Sequence, residues 1–295
     1  PKIISFEDKV ELIKSCVENI RPVKMRRIEP INSLKCAVIN IYDIHLDKTP
    51  YWYNGDSEST LNDYIAELEN ALCKILIKLN DEGIDTIILP VGNDLLTTNG
   101  FMQSTKKGTP QNPFIPHHIA YKKALQLILD MVDTCTDYCN KLVVPIVYGN
   151  HDYDVDFYLG TTLQTVFVNN PKISVINDMS ERKYYKFGNT LMGFAHGDKE
   201  KKIINNLPLL MASERRSVWG DIKYGEWFLG DIHHKEESKM LRIKDFPGVT
   251  VRFLRSTSIT DQWHNDEGYI GIPRSIETYI YDYSNGLELI YNINL

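Results

Sequence analysis

Long apolar stretches are absent from this sequence. Its 295 residues contain no run of about eighteen apolar residues, the length that a helix needs to cross a bilayer. The first residues also lack a positively charged segment followed by an apolar core, which is the pattern of a secretory signal. We therefore expect no membrane partner and a cytoplasmic location.

Cysteine and positive charge are also scarce. Five cysteines are an odd number without the spacing of a disulfide framework, so reduced thiols are expected. Cys36 and Cys73 lie in apolar stretches, which predicts that both are core residues. The formal net charge of -6 argues against general charge-driven binding to nucleic acid. Bound divalent cations would still provide positive charge where a phosphate binds.

Strands and helices alternate in the first half of the chain. Strands are predicted over 35–42, 85–91 and 142–148, and helices over 61–80 and 118–140. This alternation is typical of a parallel sheet with helices on its faces. The second half is richer in strands, which are predicted near 183–187, 190–195, 226–229, 249–254, 276–282 and 287–292. We interpret 1–34 as an N-terminal helical extension, with a helix over 8–20, and 35–295 as one domain.

Residues that can bind metals follow the predicted strands again and again. The segments are Asp43-Ile44-His45, Gly92-Asn93-Asp94, Gly149-Asn150-His151-Asp152, His196-Gly197-Asp198 and Gly230-Asp231-Ile232-His233-His234. Ligands of open α/β sheets gather beyond the carboxyl ends of the strands, so the five turns can converge on one site. Imidazoles, carboxylates and an amide oxygen suit Mn, Fe, Zn or Ni. Each turn alone is commonplace, but five in this order indicate a metal centre.

The set resembles the calcineurin-like metallophosphoesterase superfamily, whose blocks read Asp-x-His, Gly-Asp, Gly-Asn-His-Asp, His and Gly-His-x-His. The resemblance covers about residues 36–235. It is nearest to the SbcD-type DNA exonuclease branch and to phage-type metallophosphoesterases. Shared features of that group are the Thr/Gly-rich loop at 97–111, Asp261-Gln262-Trp263-His264 and Gly268-Tyr269. The resemblance implies an α/β fold, a four-layer αββα sandwich of two mixed β-sheets flanked by helices.

The resemblance also implies two divalent metal ions, with Mn expected and Fe, Zn, Ni or Mg as alternatives. The implied ligands are Asp43, His45 and His233 for one ion, Asn150 and His196 for the other, and Asp94 as the bridge. By the same resemblance His151 would protonate the leaving oxygen or stabilise charge on the phosphate. Asp152 would orient His151 or its loop.

Two positions depart from the family pattern. Asn93 stands where the bridging Asp usually follows Gly, and because an amide brings no charge we assign the bridge to Asp94. Asp231 replaces the first His of Gly-His-x-His. We favour Asp231 as a ligand of the second ion, and the alternative is that it points away and leaves that ion weakly bound. His234 is interpreted as a contact of the substrate or of a ligand.

The resulting hypothesis is a nuclease-like metal-dependent phosphodiesterase. Its substrate would be a nucleic-acid or nucleotide phosphodiester, with DNA and RNA as candidates, attacked by metal-bound hydroxide. Because only about 60 residues follow His233, too few for the DNA-capping domain that the resemblance to repair nucleases would imply, processive work on duplex DNA is expected to need a partner, either a second copy of the chain or another protein.

Two alternatives stay open. A phosphomonoesterase is disfavoured because no Arg follows Asp94 in Leu95-Leu96-Thr97-Thr98. A non-catalytic interaction module of the same fold would explain Asn93 and Asp231.

Overall fold

The computed structural model describes residues 34–231, 242–269 and 271–295. The helix predicted over 8–20 lies outside these ranges, and so do His233 and His234. The extension assigned to residues 1–34 therefore stays a prediction.

Twelve strands alternate with helices within the described ranges. The strands are β1 Lys35–Asn40, β2 Thr86–Ile88, β3 Val91–Gly92, β4 Lys141–Val147, β5 Ile173–Ile176, β6 Lys183–Phe187, β7 Thr190–Ala195, β8 Tyr224–Leu229, β9 Ile243–Phe246, β10 Val249–Phe253, β11 Ser275–Asp282 and β12 Gly286–Asn294. The helices are α1 Ser57–Glu82, α2 His117–Thr136, α3 Tyr153–Val166, α4 Leu207–Glu214, α5 Arg216–Trp219 and α6 Gln262–Asp266, with a 3-10 helix over Glu200–Asn206.

These strands form two mixed sheets. The first has seven strands in the order β12-β11-β1-β2-β4-β3, with β5 also paired to β4. Strands β1 to β5 run parallel to one another, whereas β11 pairs antiparallel with β1 and β12 pairs antiparallel with β11. The second sheet has the order β6-β7-β8-β10-β9, with a parallel centre and antiparallel edges. The carboxyl ends of β1, β3 and β4 therefore lie at one edge of the first sheet.

Three apolar clusters hold these layers together. Helices α1 to α3 bury residues such as Leu72 against one face of the first sheet. The two sheets face each other through a second cluster that includes Val143 and Phe194. The outer face of the second sheet, with Trp227, packs on Met211 of α4 in the third. The expected α/β class with two mixed sheets and flanking helices is thus confirmed.

Several details differ from the sequence prediction. The strand expected over 85–91 is interrupted after Ile88 and resumes at Val91; Pro90 between them has no N–H to donate. Helix α3 and strand β5 were not predicted at all. Cys73, expected in the core, is exposed on α1, because the buried face of that helix is set by Leu72, Ile75 and Leu76.

Membrane-spanning character is absent from the described helices: none combines sufficient length with sufficient apolarity.

Candidate metal centre

The loop after β1 is joined to the loop after β3 by backbone hydrogen bonds. The amide of Asp43 donates to the carbonyl of Asn93 (3.2 Å), and the amide of His45 donates to that of Asp94 (2.9 Å). All four residues have left-handed backbones, with φ of 50°, 47°, 59° and 61° in chain order, and Asp231 has φ 51°. Such conformations are costly for residues other than glycine and concentrate at functional sites. The left-handed backbones therefore indicate that these loops form a functional site.

Glycine lets the loop after β4 approach Asp94. A Cβ on Gly149 would lie 2.1 Å from Oδ1 of Asp94 and 2.4 Å from its backbone nitrogen, so no larger residue fits there without movement. Just beyond this contact, the amide of His151 donates to Oδ1 of Asp94 (2.9 Å). The carboxylate of Asp94 is thereby fixed between the two loops.

Asp94 is shared by two groups of side chains that can each hold a metal ion. One group contains His45, Asp94 and His151, the other Asp43, Asp94 and His196, and the donor atoms within each group all lie within 4.8 Å of one another. Oδ2 of Asp94 is 3.6 Å from Nε2 of His45 and 3.4 Å from Nε2 of His196. A carboxylate between two imidazoles is an arrangement that can bridge two cations.

Among the described residues, one ring nitrogen of His196 has a hydrogen-bond partner and the other has none. Its Nδ1 donates to Oδ1 of Asn93 (2.7 Å), which leaves the lone pair of neutral imidazole on Nε2. That buried Nε2 has no hydrogen-bond partner among the described residues, although the Asp94 carboxylate is 3.4 Å away. A cation between the lone pair and the carboxylate, whether a second ring proton or a metal ion, would satisfy both groups.

The local charges point the same way. Burial raises the pKa of Asp94 well above its usual range, His196 opposes this shift, and Asp152 and Asp43 add to it. Burial would lower the pKa of His196, but the neighbouring carboxylates of Asp94 and Asp43 prevail and raise it. The pocket is therefore short of positive charge. A metal ion fits this donor set of buried carboxylates and an uncommitted imidazole nitrogen.

A hydrogen bond to the backbone fixes the protonation of one ring nitrogen of His151. Its Nδ1 donates to the carbonyl of Thr97 (3.0 Å), because a carbonyl can only accept. Nε2 is therefore the nitrogen left for a proton, a substrate or an ion. The ring meets that of His45 edge-on, with centroids 4.9 Å apart. Both rings line an open cleft, so this half of the centre faces solvent.

Asp152 contacts the loop rather than the imidazole of His151. Its fully buried carboxylate accepts the amide of Leu96 (2.7 Å) and so ties the loop after β3 to the loop after β4. Asp156, one helical turn later, accepts the amide of Gly149 (2.8 Å). Burial raises the pKa of both carboxyls, and each lies beside the other. The two carboxylates thus hold the loops after β3 and β4 in place through hydrogen bonds to their backbone amides.

The other predicted ligands among the described residues, Asn150 and Asp231, belong to neither group. Asn150 lines a small pocket of about 90 Å³ together with His196 and Lys107. Asp231 belongs to neither group within the described ranges; its amide donates to Asp43 (3.2 Å) and its carboxylate lies 3.0 Å from Nζ of Lys201. His233 lies outside the described residues. The resemblance placed Asp43 with His45 on one ion, whereas the geometry groups Asp43 with His196.

Sequence reasoning missed several residues of the site. Asp156 could have been found as an acidic residue one turn after Asp152 in the buried start of a helix. Asp47 is fully buried and accepts the amide of Thr97 (2.6 Å), and its signal was its place two residues after His45. Lys201 is the ion-pair partner of Asp231 and was not among the predicted site residues.

No family model matches the chain, and no curated protein matches it. Among solved structures, a similar one is a hypothetical protein from Thermus thermophilus. It is 9% identical, the match covers 88% of this chain and 98% of that one, and the TM-score is 0.33. A TM-score this low carries no argument about fold or function.

Proposed function

We propose that this chain is a dinuclear metal-dependent phosphodiesterase of the calcineurin-like metallophosphoesterase type, acting on nucleic-acid or nucleotide phosphodiesters. In this proposal its two mixed sheets and flanking helices are the four-layer sandwich of that superfamily. The observation that carries the proposal is the position of Asp94, whose carboxylate belongs to both ligand groups. A centre for a single ion would not require a shared carboxylate.

The chain's own residues suit the handling of a phosphodiester. Asp43, Asp94 and His196 would hold one ion, and His45 with Asp94 the other, with Asn150 and His233 as further candidate ligands. Two divalent ions, with Mn expected, would supply positive charge for the phosphate and would lower the pKa of bound water towards neutral. Nε2 of His151, whose ring is fixed by Thr97, would either hand a proton to the leaving oxygen or complete the ligand set of His45.

Hydrolysis of two chromogenic esters tests this proposal. The protein is stripped with EDTA, reloaded with Mn, and compared on bis-p-nitrophenyl phosphate and p-nitrophenyl phosphate. We expect about two ions per chain after reloading, loss of activity after stripping, and a preference for the diester. Metal content is measured on the same sample, so that binding and turnover are separated.

Other results would favour other functions. A clear preference for the monoester would indicate a phosphomonoesterase. Fewer than about one ion per chain together with no hydrolysis would contradict an enzyme and favour a non-catalytic interaction module. Mn binding without hydrolysis of either ester would leave the metal centre in place and overturn the diesterase.

A further inference from the structure

A cleft of about 440 Å³ opens directly beside the candidate metal centre. Its lining includes Asp43, His45 and His151 together with Arg255, Tyr269 and residues of 258–264 and 272–274. This volume is that of a pocket for one small molecule. A group held in the cleft would therefore lie next to any phosphate bound at the metal centre.

The lining of the cleft also contains an aromatic cluster. Trp263, His264 and Tyr269 contact one another, with ring centroids 4.8 to 6.4 Å apart, and Trp263 is 46% exposed. An exposed indole at the edge of a pocket offers a flat apolar surface. Every nucleobase has a π-face that can stack on such a surface, whatever the base.

Asp261 connects the aromatic cluster to a neighbouring loop. Asp261 caps α6 by accepting the amide of His264 (2.8 Å) and also contacts the imidazole of that residue (2.5 Å). The same carboxylate forms an ion pair with Lys48 (3.0 Å), which lies in the loop that follows the metal-binding turn of β1. The position of Trp263 is thus coupled to the loop that carries Asp43 and His45.

The cations of the cleft are not equivalent. Lys48 is paired with Asp261, and Arg274 is paired with Glu67 (2.7 Å). Arg255 lines the cleft as well, and its guanidinium has no ion-pair partner within the described part of the chain. A single uncommitted guanidinium in a pocket with aromatic walls suits a ligand that combines an anion with a planar ring.

From these features we infer that the cleft binds one unpaired nucleobase with its sugar, stacked on Trp263, beside the phosphate at the metal centre. The substrate class would then be nucleotide diesters and single-stranded ends, because a base in a duplex is already stacked and paired. This inference rests on the proposed function for the place of the phosphate. The inference adds Trp263 as the residue that selects the substrate, by stacking on its base.

Equilibrium binding in Mn buffer tests the inference without turnover. Isothermal titration calorimetry compares thymidine 5′-monophosphate with ethyl phosphate, which has the same charged group but no base. We expect the nucleotide to bind roughly 10-fold or more tightly, the size that alanine substitution of a stacking residue gives in single-strand binding proteins. In Trp263→Ala the difference should disappear, and in Trp263→Phe most of it should remain.

Trp52→Ala is the matched control, because Trp52 is 51% exposed and does not line the cleft. It should bind both ligands as the parent does. Equal affinity of the parent for the two ligands, or a difference that persists in Trp263→Ala, would overturn the inference. Hydrolysis of diesters with no base-dependent binding would leave the proposed function standing alone. The reverse result would leave the cleft assignment standing without the diesterase.

Discussion

The two side-chain groups that share Asp94 differ in exposure. Asp43, Asp94 and His196 are all buried, whereas His45 and His151 are half-buried. The side chain of His196 is 3% exposed and that of His45 is 14% exposed. The first group is therefore the more buried of the two, with only Asp43 lining the cleft, whereas both imidazoles of the second group line it.

From this difference we expect the two groups to have different roles in metal binding and turnover. In the buried group the ligands are fixed by the fold, since Asn93 holds His196 and Asp231 donates to Asp43. Its charge balance depends on a cation, because a buried carboxylate without a compensating charge is costly. The half-buried group borders the cleft and can meet a substrate. We expect substitutions in the first group to affect metal content and those in the second to affect turnover.

Asp94→Asn should have the largest effect, because it breaks both groups at once. Loss of a residue that supports a metal ligand costs about 10- to 100-fold in affinity or activity, so loss of the shared ligand should cost more than roughly 100-fold. Metal analysis after Mn loading should show that both ions are weakened. The amide can still accept the His151 amide bond now made by Oδ1, so folding should be retained.

Circular dichroism and the exposed-site variant Asp221→Asn serve as controls for that experiment. Asp221 is exposed on the turn after α5, and its variant should match the parent in metal content and activity. If Asp94→Asn keeps two tightly bound ions, the shared carboxylate is not a bridge. The comparison between the two groups would then lose its basis.

His151→Ala should separate turnover from metal binding. We expect this variant to keep both ions and to lose about 100- to 10,000-fold in kcat on the diester, the range for a general acid or base. Its ring lies within ligand distance of His45 and Asp94, so the result decides between an acid and a ligand. Metal content and kcat are measured together.

The control for this variant is His118→Ala, which removes an exposed imidazole at the start of α2. It should behave as the parent. Loss of one ion from His151→Ala would identify His151 as a ligand and contradict its role as a proton donor. Turnover at the parent rate would exclude both roles.

Much of the fold could be predicted because buried strands have a strong signature. The runs that became β1, β4 and β7 are apolar, rich in β-branched or aromatic residues, and end at Gly, Asp or His. Helix α3 escaped because Gly160 and its threonines have low helix propensity, and only packing of residues such as Leu159 on the sheet stabilises it.

The site was predictable in its members but not in its grouping. Residue types and strand ends placed Asp43, Asp94 and His196 near one another. Which two imidazoles share Asp94 depends on left-handed turns at Asp43 and Asp94 and on hydrogen bonds between distant loops. Asp adopts such turns more often than most residues do, but only at a small minority of positions, so a sequence pattern gives little warning of them.

Gly149→Ala should have the smallest effect of the three variants on catalysis and the clearest effect on stability. The added Cβ would lie 2.4 Å from the backbone nitrogen of Asp94, so backbone must move rather than a flexible side chain. Overpacking of this kind costs about 1–3 kcal/mol in the free energy of unfolding, measured in urea. Gly220→Ala is the matched control, since nothing lies within 4 Å of a Cβ there and its backbone is helical. The control variant should have an unchanged or slightly higher free energy of unfolding.

Because the displaced residue is the one that both groups share, Gly149→Ala should weaken the binding of both ions by similar factors. Weakening of one ion alone would show that the two groups hold Asp94 independently, and parent-like unfolding would show that the loops have room that the structure does not give them.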